Sequence, residues 1–266
     1  MESKGKNERF ARIRHGETGR FVIIPMDHGV SSGPIKGLVD MEGTLGKVVA
    51  GGATAVVTHK GIARIGVSKY SEDVGFILHL SASTKLSPDP NAKVLVACVE
   101  DALLLGCHAV SIHVNVGAAT EKEMLQDLGF VSSTCMELGV PLLAMMYPRG
   151  PEITDPFDVE LVKHVARIGA ELGADIVKTN YTGTVDTFEE VTRGCPVPIV
   201  IAGGPKVDSD RDVLKMVSEA MEAGAKGISI GRNVFQHSDI TAMTRAVADI
   251  VLRGKDPDEA CDSISR

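Results

Sequence analysis

Apolar runs of strand length recur along the chain at regular spacing. In the first half they occupy 21–26, 54–57, 75–80 and 109–114; in the second, 141–146, 175–177, 198–201 and 227–230. Each is short and nearly continuous, with Val and Ile prominent, as expected for strands buried on both faces of a parallel sheet. Between most of them lie stretches with apolar residues at helical spacing: 38–50, 92–105, 121–138, 158–172, 184–192 and 210–223, with 239–252 closing the chain. Several of these end in a glycine phrase that leads into the next strand, as at Gly106, Gly139, Gly173 and Gly224. A glycine just past a helix suits the left-handed C-cap conformation. The stretch 60–74 is irregular and reads as a long loop carrying a short helix. Strands and helices alternating over about 250 residues predict an α/β chain folded as a single (β/α)8 TIM barrel. The barrel is expected over 16–266, behind a basic arm at 1–15. An open doubly wound sheet usually has fewer strands at this length, and no GxGxxG follows the first run.

The arm, Glu2 to Arg14, carries Lys4, Lys6, Arg9, Arg12 and Arg14. It reads as a solvated arm or short helix, open to a subunit contact. The rest of the chain is acidic, and the net charge of -7 argues against a nucleic-acid partner. The hydrophobic share of 44% and charged share of 24% are ordinary for a globular chain, and the absence of tryptophan makes the expected core aliphatic. No stretch is long and apolar enough to span a membrane, and no secretory leader opens the chain. Cys98, Cys107, Cys135, Cys195 and Cys261 form no CxxC and leave one unpaired. They read as reduced thiols, so a cytoplasmic location is expected.

In a barrel the reactive groups sit where strands end. The strand ends here are Asp27-His28-Gly29, Thr58-His59-Lys60, His113 to Asn115, Tyr147-Pro148-Arg149-Gly150, Lys178-Thr179-Asn180, Gly203-Gly204-Pro205-Lys206 and Gly231-Arg232-Asn233. Polar groups cluster there, while the strand starts are bland, and that asymmetry points to an enzyme. Ile176 and Lys178 share one strand face. A lysine there either snorkels to water, pairs with a carboxylate, or serves as an amine that loses its proton readily and attacks a carbonyl. Asp27 either caps the following turn or acts as a carboxylate beside that lysine. Tyr147 shares the parity of Leu143 and Met145; it either packs at the rim or offers its phenol to a substrate oxygen. Gly203, Gly204, Gly231 and Arg232 follow the last two strands, where barrels often bind phosphate. His28, His59, His79 and His113 lack the spacing of a metal site, so neither metal nor cofactor is expected.

The phrases Pro25-Met-Asp-His-Gly-Val-Ser-Ser-Gly-Pro-Ile-Lys-Gly-Leu38, Met145-Met-Tyr-Pro-Arg-Gly150, Ala174-Asp-Ile-Val-Lys-Thr179, Ala202-Gly-Gly-Pro-Lys206 and Gly231-Arg-Asn-Val-Phe-Gln-His237 resemble the archaeal class I aldolase (DhnA) family. The resemblance covers nearly the whole chain beyond the arm. It implies a Schiff base at Lys178, a proton donor at Tyr147 and a proton acceptor at Asp27. It also implies substrate contacts from Asp27, His28, Gly29, Val30 and Ser31, from Tyr147, Pro148 and Arg149, and from Gly203, Gly204, Gly231 and Arg232. The phrase 30–37 is most similar to members that make an aminoketo-heptulosonate. Their implied transaldol reaction joins a unit of 6-deoxy-5-ketofructose 1-phosphate to L-aspartate semialdehyde, releases hydroxypyruvaldehyde phosphate, and feeds an alternative 3-dehydroquinate route to aromatic amino acids. The implied partners are therefore a phosphorylated ketose and a small aldehyde, with homo-oligomeric rings, often decamers, in the family. Competing expectations are a fructose-bisphosphate aldolase, a non-catalytic sugar-phosphate-binding barrel and an acyl-transferring relative.

Overall fold

The computed structural model describes residues 4–207 and 209–264; residues 1–3 of the expected arm, Glu2 among them, lie outside the described residues. Eight parallel strands close into a barrel: β1 (Phe21–Pro25), β2 (Ala55–Thr58), β3 (Gly75–His79), β4 (Ala109–Val116), β5 (Leu142–Pro148), β6 (Ile176–Asn180), β7 (Ile199–Ala202) and β8 (Gly227–Ser229). Each pairs with its sequence neighbours, and β8 closes on β1 through Phe21 opposite Gly227. The two-residue period sorts the apolar side chains. Ile23, Val57, Ile77, Leu143, Met145, Ile176 and Val200 fill the lumen. Val22, Ile24, Val56, Phe76, Leu78, Val177 and Ile201 face outward into the core between barrel and helices.

The helices at Glu121–Leu138, Val159–Glu171, Val185–Gly194 and Asp210–Glu222 match expectation to within a few residues. Side-chain caps fix several starts, such as Asp158 accepting from the Leu161 amide at 3.1 Å. Gly106 and Gly139 end their helices in the left-handed conformation.

Four departures matter. The stretch read as irregular holds an eleven-residue helix, Lys60–Tyr70, whose buried face is made by small residues, Ala63 and Gly66. The helix expected at 92–105 starts only at Val99; before it, Ser81–Ala82 and Val94–Leu95 pair as an antiparallel hairpin, in keeping with Pro88 and Pro90 nearby. The helix at Ile240–Arg253 does not close the chain: Gly254 ends it in the left-handed conformation, and a final helix follows at Pro257–Ile264 with Ala260 buried.

The fourth departure is in how the arm docks, since its short helix is as expected. Lys4–Arg12 is a helix lying beneath the barrel, and Ile13 is fully buried in the lumen cluster. Phe10 meets Phe21 edge to face at 5.7 Å. Arg9 donates to the Gly139 carbonyl at 3.0 Å, Arg12 to the Ser71 and Glu72 carbonyls, and Lys6 pairs with Asp175 at 2.7 Å. Gly139 and Ser71 cap helix C-termini, where carbonyls lack partners and cations are favoured. The basic residues thus dock the short helix, one of the two forms expected of the arm, on the underside; no helix residue is buried, and Ile13 behind it is the plug.

Candidate active site

A cavity of about 590 Å³ opens at the C-terminal ends of the strands. Lys178 enters it from β6, set between Met145 of β5 and Val200 of β7. Ile176, one pleat below, lies in the lumen cluster, so the parity expected for Lys178 holds. The lysine is 7% exposed, and among the described residues no hydrogen bond or ion pair reaches its Nζ. Without a contact ion pair or hydrogen bond, this buried amine faces the longer-range attraction of Asp27.

Asp27 follows β1 directly. Its Oδ1 is buried without a hydrogen bond and lies 3.7 Å from His28 Nδ1; its Oδ2 lies 3.8 Å from His79 Nε2. Burial opposes ionisation, but attraction to His79, His28, Lys178 and His59 outweighs it and holds the carboxyl well below its usual range. Burial moves the imidazoles the other way. His28 and His59 are pushed down, and His79 falls to about 4, despite the attraction of Asp27. His79 Nδ1 meets Ser111 Oγ at 2.9 Å, and its ring lies 5.2 Å from that of His59. Among the described residues, no three His, Cys, Asp or Glu side chains are grouped to hold a metal.

Tyr147 faces the lumen with Leu143 and Met145. Its ring lies 5.0 Å from that of His113, and the Arg149 guanidinium sits 4.5 Å over it, within cation–π range. Across the cavity, Arg232 donates from Nη2 to the Gly204 carbonyl at 2.8 Å, while its Nε is buried without a partner. Asn233 clamps the same loop, donating to the carbonyls of Gly203 at 2.7 Å and Pro205 at 3.0 Å and accepting from the Val207 amide. Gly231 admits no side chain, because a Cβ there would stand 2.8 Å from both His28 Cε1 and the Pro25 carbonyl. Small residues, loop amides and one guanidinium make this corner suitable for an anion.

The cavity gathers Asp27, His28, Val30, Ser31, Tyr147, Arg149, Lys178, Gly203, Gly204, Gly231 and Arg232. Gly29 and Pro148 do not line it; Gly29 is exposed, and Pro148 has the opposite strand parity to Tyr147. Sequence reasoning missed Lys85, Asn91 and Lys93, which reach the cavity from the hairpin after β3. Their position in a loop following a strand was the available signal, hidden by reading 92–105 as one helix.

Residues 21–237 match the DeoC/LacD family of aldolases. The chain is 46% identical over 248 residues to 2-amino-3,7-dideoxy-D-threo-hept-6-ulosonate synthase 1 of Archaeoglobus fulgidus, covering 93% of this chain and 91% of that one. It is 41% identical over 243 residues to 2-amino-4,5-dihydroxy-6-oxo-7-(phosphonooxy)heptanoate synthase of Streptomyces griseus, covering 91% and 89%. A solved archaeal fructose-1,6-bisphosphate aldolase, with its catalytic lysine covalently bound to the carbinolamine intermediate, superposes with a TM-score of 0.85 at 34% identity, covering 92% of this chain and 99% of that one. The chain belongs to the DeoC/LacD family of aldolases.

Proposed function

We propose that the protein is a Schiff-base synthase forming 2-amino-3,7-dideoxy-D-threo-hept-6-ulosonate, with Lys178 as the amine. The observation that carries this reading is the Lys178 amine, free of any hydrogen bond or contact ion pair among the described residues and buried in one cavity with Asp27, Tyr147 and the glycine corner. The products named for the two synthases agree in chemistry. Both are seven-carbon 2-amino-6-oxo acids with oxygen at C4 and C5. An aldol bond between C4 and C5 divides either into a four-carbon amino-acid aldehyde, L-aspartate semialdehyde, and a three-carbon ketone.

In the proposed cycle Lys178 adds to the ketone at C5 of 6-deoxy-5-ketofructose 1-phosphate, and water leaves to give an iminium. Asp27 takes the proton of the C3 hydroxyl. The C3–C4 bond breaks, hydroxypyruvaldehyde phosphate departs, and its bonding pair becomes an enamine on Lys178. The enamine carbon attacks the aldehyde of L-aspartate semialdehyde, and Tyr147 protonates the new alkoxide. Water then releases the product and restores the amine; the proton held by Asp27 returns to Tyr147. Arg232 and the amides around Gly204 and Gly231 bind phosphate.

A second reading, fructose-bisphosphate cleavage, is favoured by the 34% identical solved aldolase and by the anion corner. A rate comparison separates the two. The synthase reading expects a seven-carbon amino acid from the deoxyketose and L-aspartate semialdehyde, with fructose 1,6-bisphosphate cleaved at least about 100-fold more slowly, a difference of about 3 kcal/mol in barrier. Faster cleavage of the bisphosphate would reverse the assignment. The family resemblance also supports a homo-oligomer, decameric in many members, and a cytoplasmic location; light scattering checks the first.

A further inference from the structure

Three features of the hairpin between β3 and β4 remain without a role in that cycle. The hairpin is sewn to β4 at two points: Ser81 Oγ accepts from the His113 amide at 3.0 Å, and Asn115 Nδ2 donates to the Asn91 carbonyl at 2.8 Å. This brings Lys93 into the cavity, half-buried, where it spends two of its three N–H donors on Ser83 Oγ and the Pro90 carbonyl. No carboxylate forms a contact ion pair with it among the described residues, and Asp27 and Asp89 attract it only from farther off. Burial pushes its pKa down, and Arg149 adds to the effect, so the ammonium lacks a counter-charge strong enough to offset desolvation.

The second feature is a tautomer. The Asn115 amide donates through Nδ2, so its Oδ1 accepts, and the His113 Nε2 that meets it at 2.8 Å must be the protonated nitrogen. Burial, Lys93 and Arg149 hold His113 well below its usual range, which keeps the ring neutral. Its Nδ1 therefore keeps a lone pair, and His113 lines the cavity beside Tyr147.

The third feature is position. Lys93 and His113 stand at β3 and β4, across the ring from the anion corner at β7 and β8, with Lys178 on β6 between. The spare N–H of Lys93, with the Arg149 charge nearby, can donate to a carboxylate oxygen.

We propose that Lys93 and His113 form the subsite for the amino-acid end of the acceptor, Lys93 taking its carboxylate and His113 Nδ1 accepting from its ammonium. This rests on the synthase reading and assigns its choice of aldehyde to the hairpin. Lys93 is a specificity-determining residue that touches the acceptor, which enters where hydroxypyruvaldehyde phosphate has left.

The test compares Lys93→Met with the unaltered enzyme on four aldehydes: L-aspartate semialdehyde, succinate semialdehyde, butanal and glyceraldehyde 3-phosphate. Losing one charged hydrogen bond should lower kcat/KM for both carboxylated aldehydes by about 20-fold or more, mainly through KM. Butanal should change by less than about 3-fold, below about 0.7 kcal/mol, and Lys93→Arg should restore part of the loss. Unaltered enzyme should also prefer L-aspartate semialdehyde to succinate semialdehyde, which lacks the ammonium. An equal loss on all four aldehydes, no loss at all, or a loss largest for glyceraldehyde 3-phosphate would overturn the assignment. Borohydride trapping of the donor separates the two levels. A donor adduct without carboxylate discrimination defeats this inference alone, whereas no adduct in the unaltered enzyme defeats the synthase reading and this inference with it.

Discussion

Tyr147 and His79 carry the sharpest expectations at the scale of single residues. If the Tyr147 phenol protonates the new alkoxide, Tyr147→Phe should slow turnover by about 100-fold or more while the covalent donor adduct still forms. Stopped-flow turnover beside adduct yield checks this, and unchanged rates would reduce the ring to packing against His113 and Arg149. His79 gives a pH expectation. Burial lowers it to about 4 from an ordinary 6.5, so between those values the unfolded chain binds a proton that the native state refuses. Stability should therefore fall as pH drops from about 6.5 to 4, by on the order of 3 kcal/mol from this residue, and the contribution is flat below that window. Asp27 adds acid sensitivity with its own sign: its carboxyl is held low in the fold, so its contribution is present above the ordinary carboxylate range and is lost as pH falls through the native value. Denaturant titrations across pH should show a shallower acid slope in His79→Gln, but not a flat one, since burial also lowers His108 to about 4. Lys178 was legible at this scale because strand parity fixes its face. The tautomer of His113 was not, because it depends on the orientation of Asn115, which is set by a carbonyl 24 residues away.

Elements were readable where a single period ran long enough. The eight strands and the helix at Glu121–Leu138 declare themselves through unbroken patterns. Lys60–Tyr70 did not, because its contact face is small: Gly66 packs so closely that a Cβ would stand 2.8 Å from Phe76. The plug was hidden differently. Phe10 and Ile13 are too few to make a periodic signal, and five basic residues around them suggest solvent until the ring of helix C-termini beneath the barrel is in view. Ile13→Ala should cost about 2–4 kcal/mol, the usual range for truncating a fully buried aliphatic residue. Chemical denaturation measures this; a change below about 0.5 kcal/mol, the level of an ordinary surface substitution, would mean that the plug is dispensable.

The whole molecule brings together groups far apart in the chain. Asp27, Tyr147, Lys178 and Arg232 come from β1, β5, β6 and the loop after β8, and only a closed ring gives them a common cavity. The two ends of that cavity differ in character, with amides and Arg232 at one side and the hairpin at the other. Arg232→Met should raise KM for the phosphorylated donor by about 10-fold or more, as loss of a charge-assisted contact implies, and reduce thermal stabilisation by inorganic phosphate. Every step of the cycle depends on Lys178 being the amine that becomes covalently bound. Incubation with the phosphorylated deoxyketose, reduction with borohydride and peptide mass mapping tests it directly. The reduced adduct should appear on the peptide containing Lys178 and disappear in Lys178→Ala; an adduct on another lysine, or none in the unaltered enzyme, would rule out Lys178 as the Schiff-base amine.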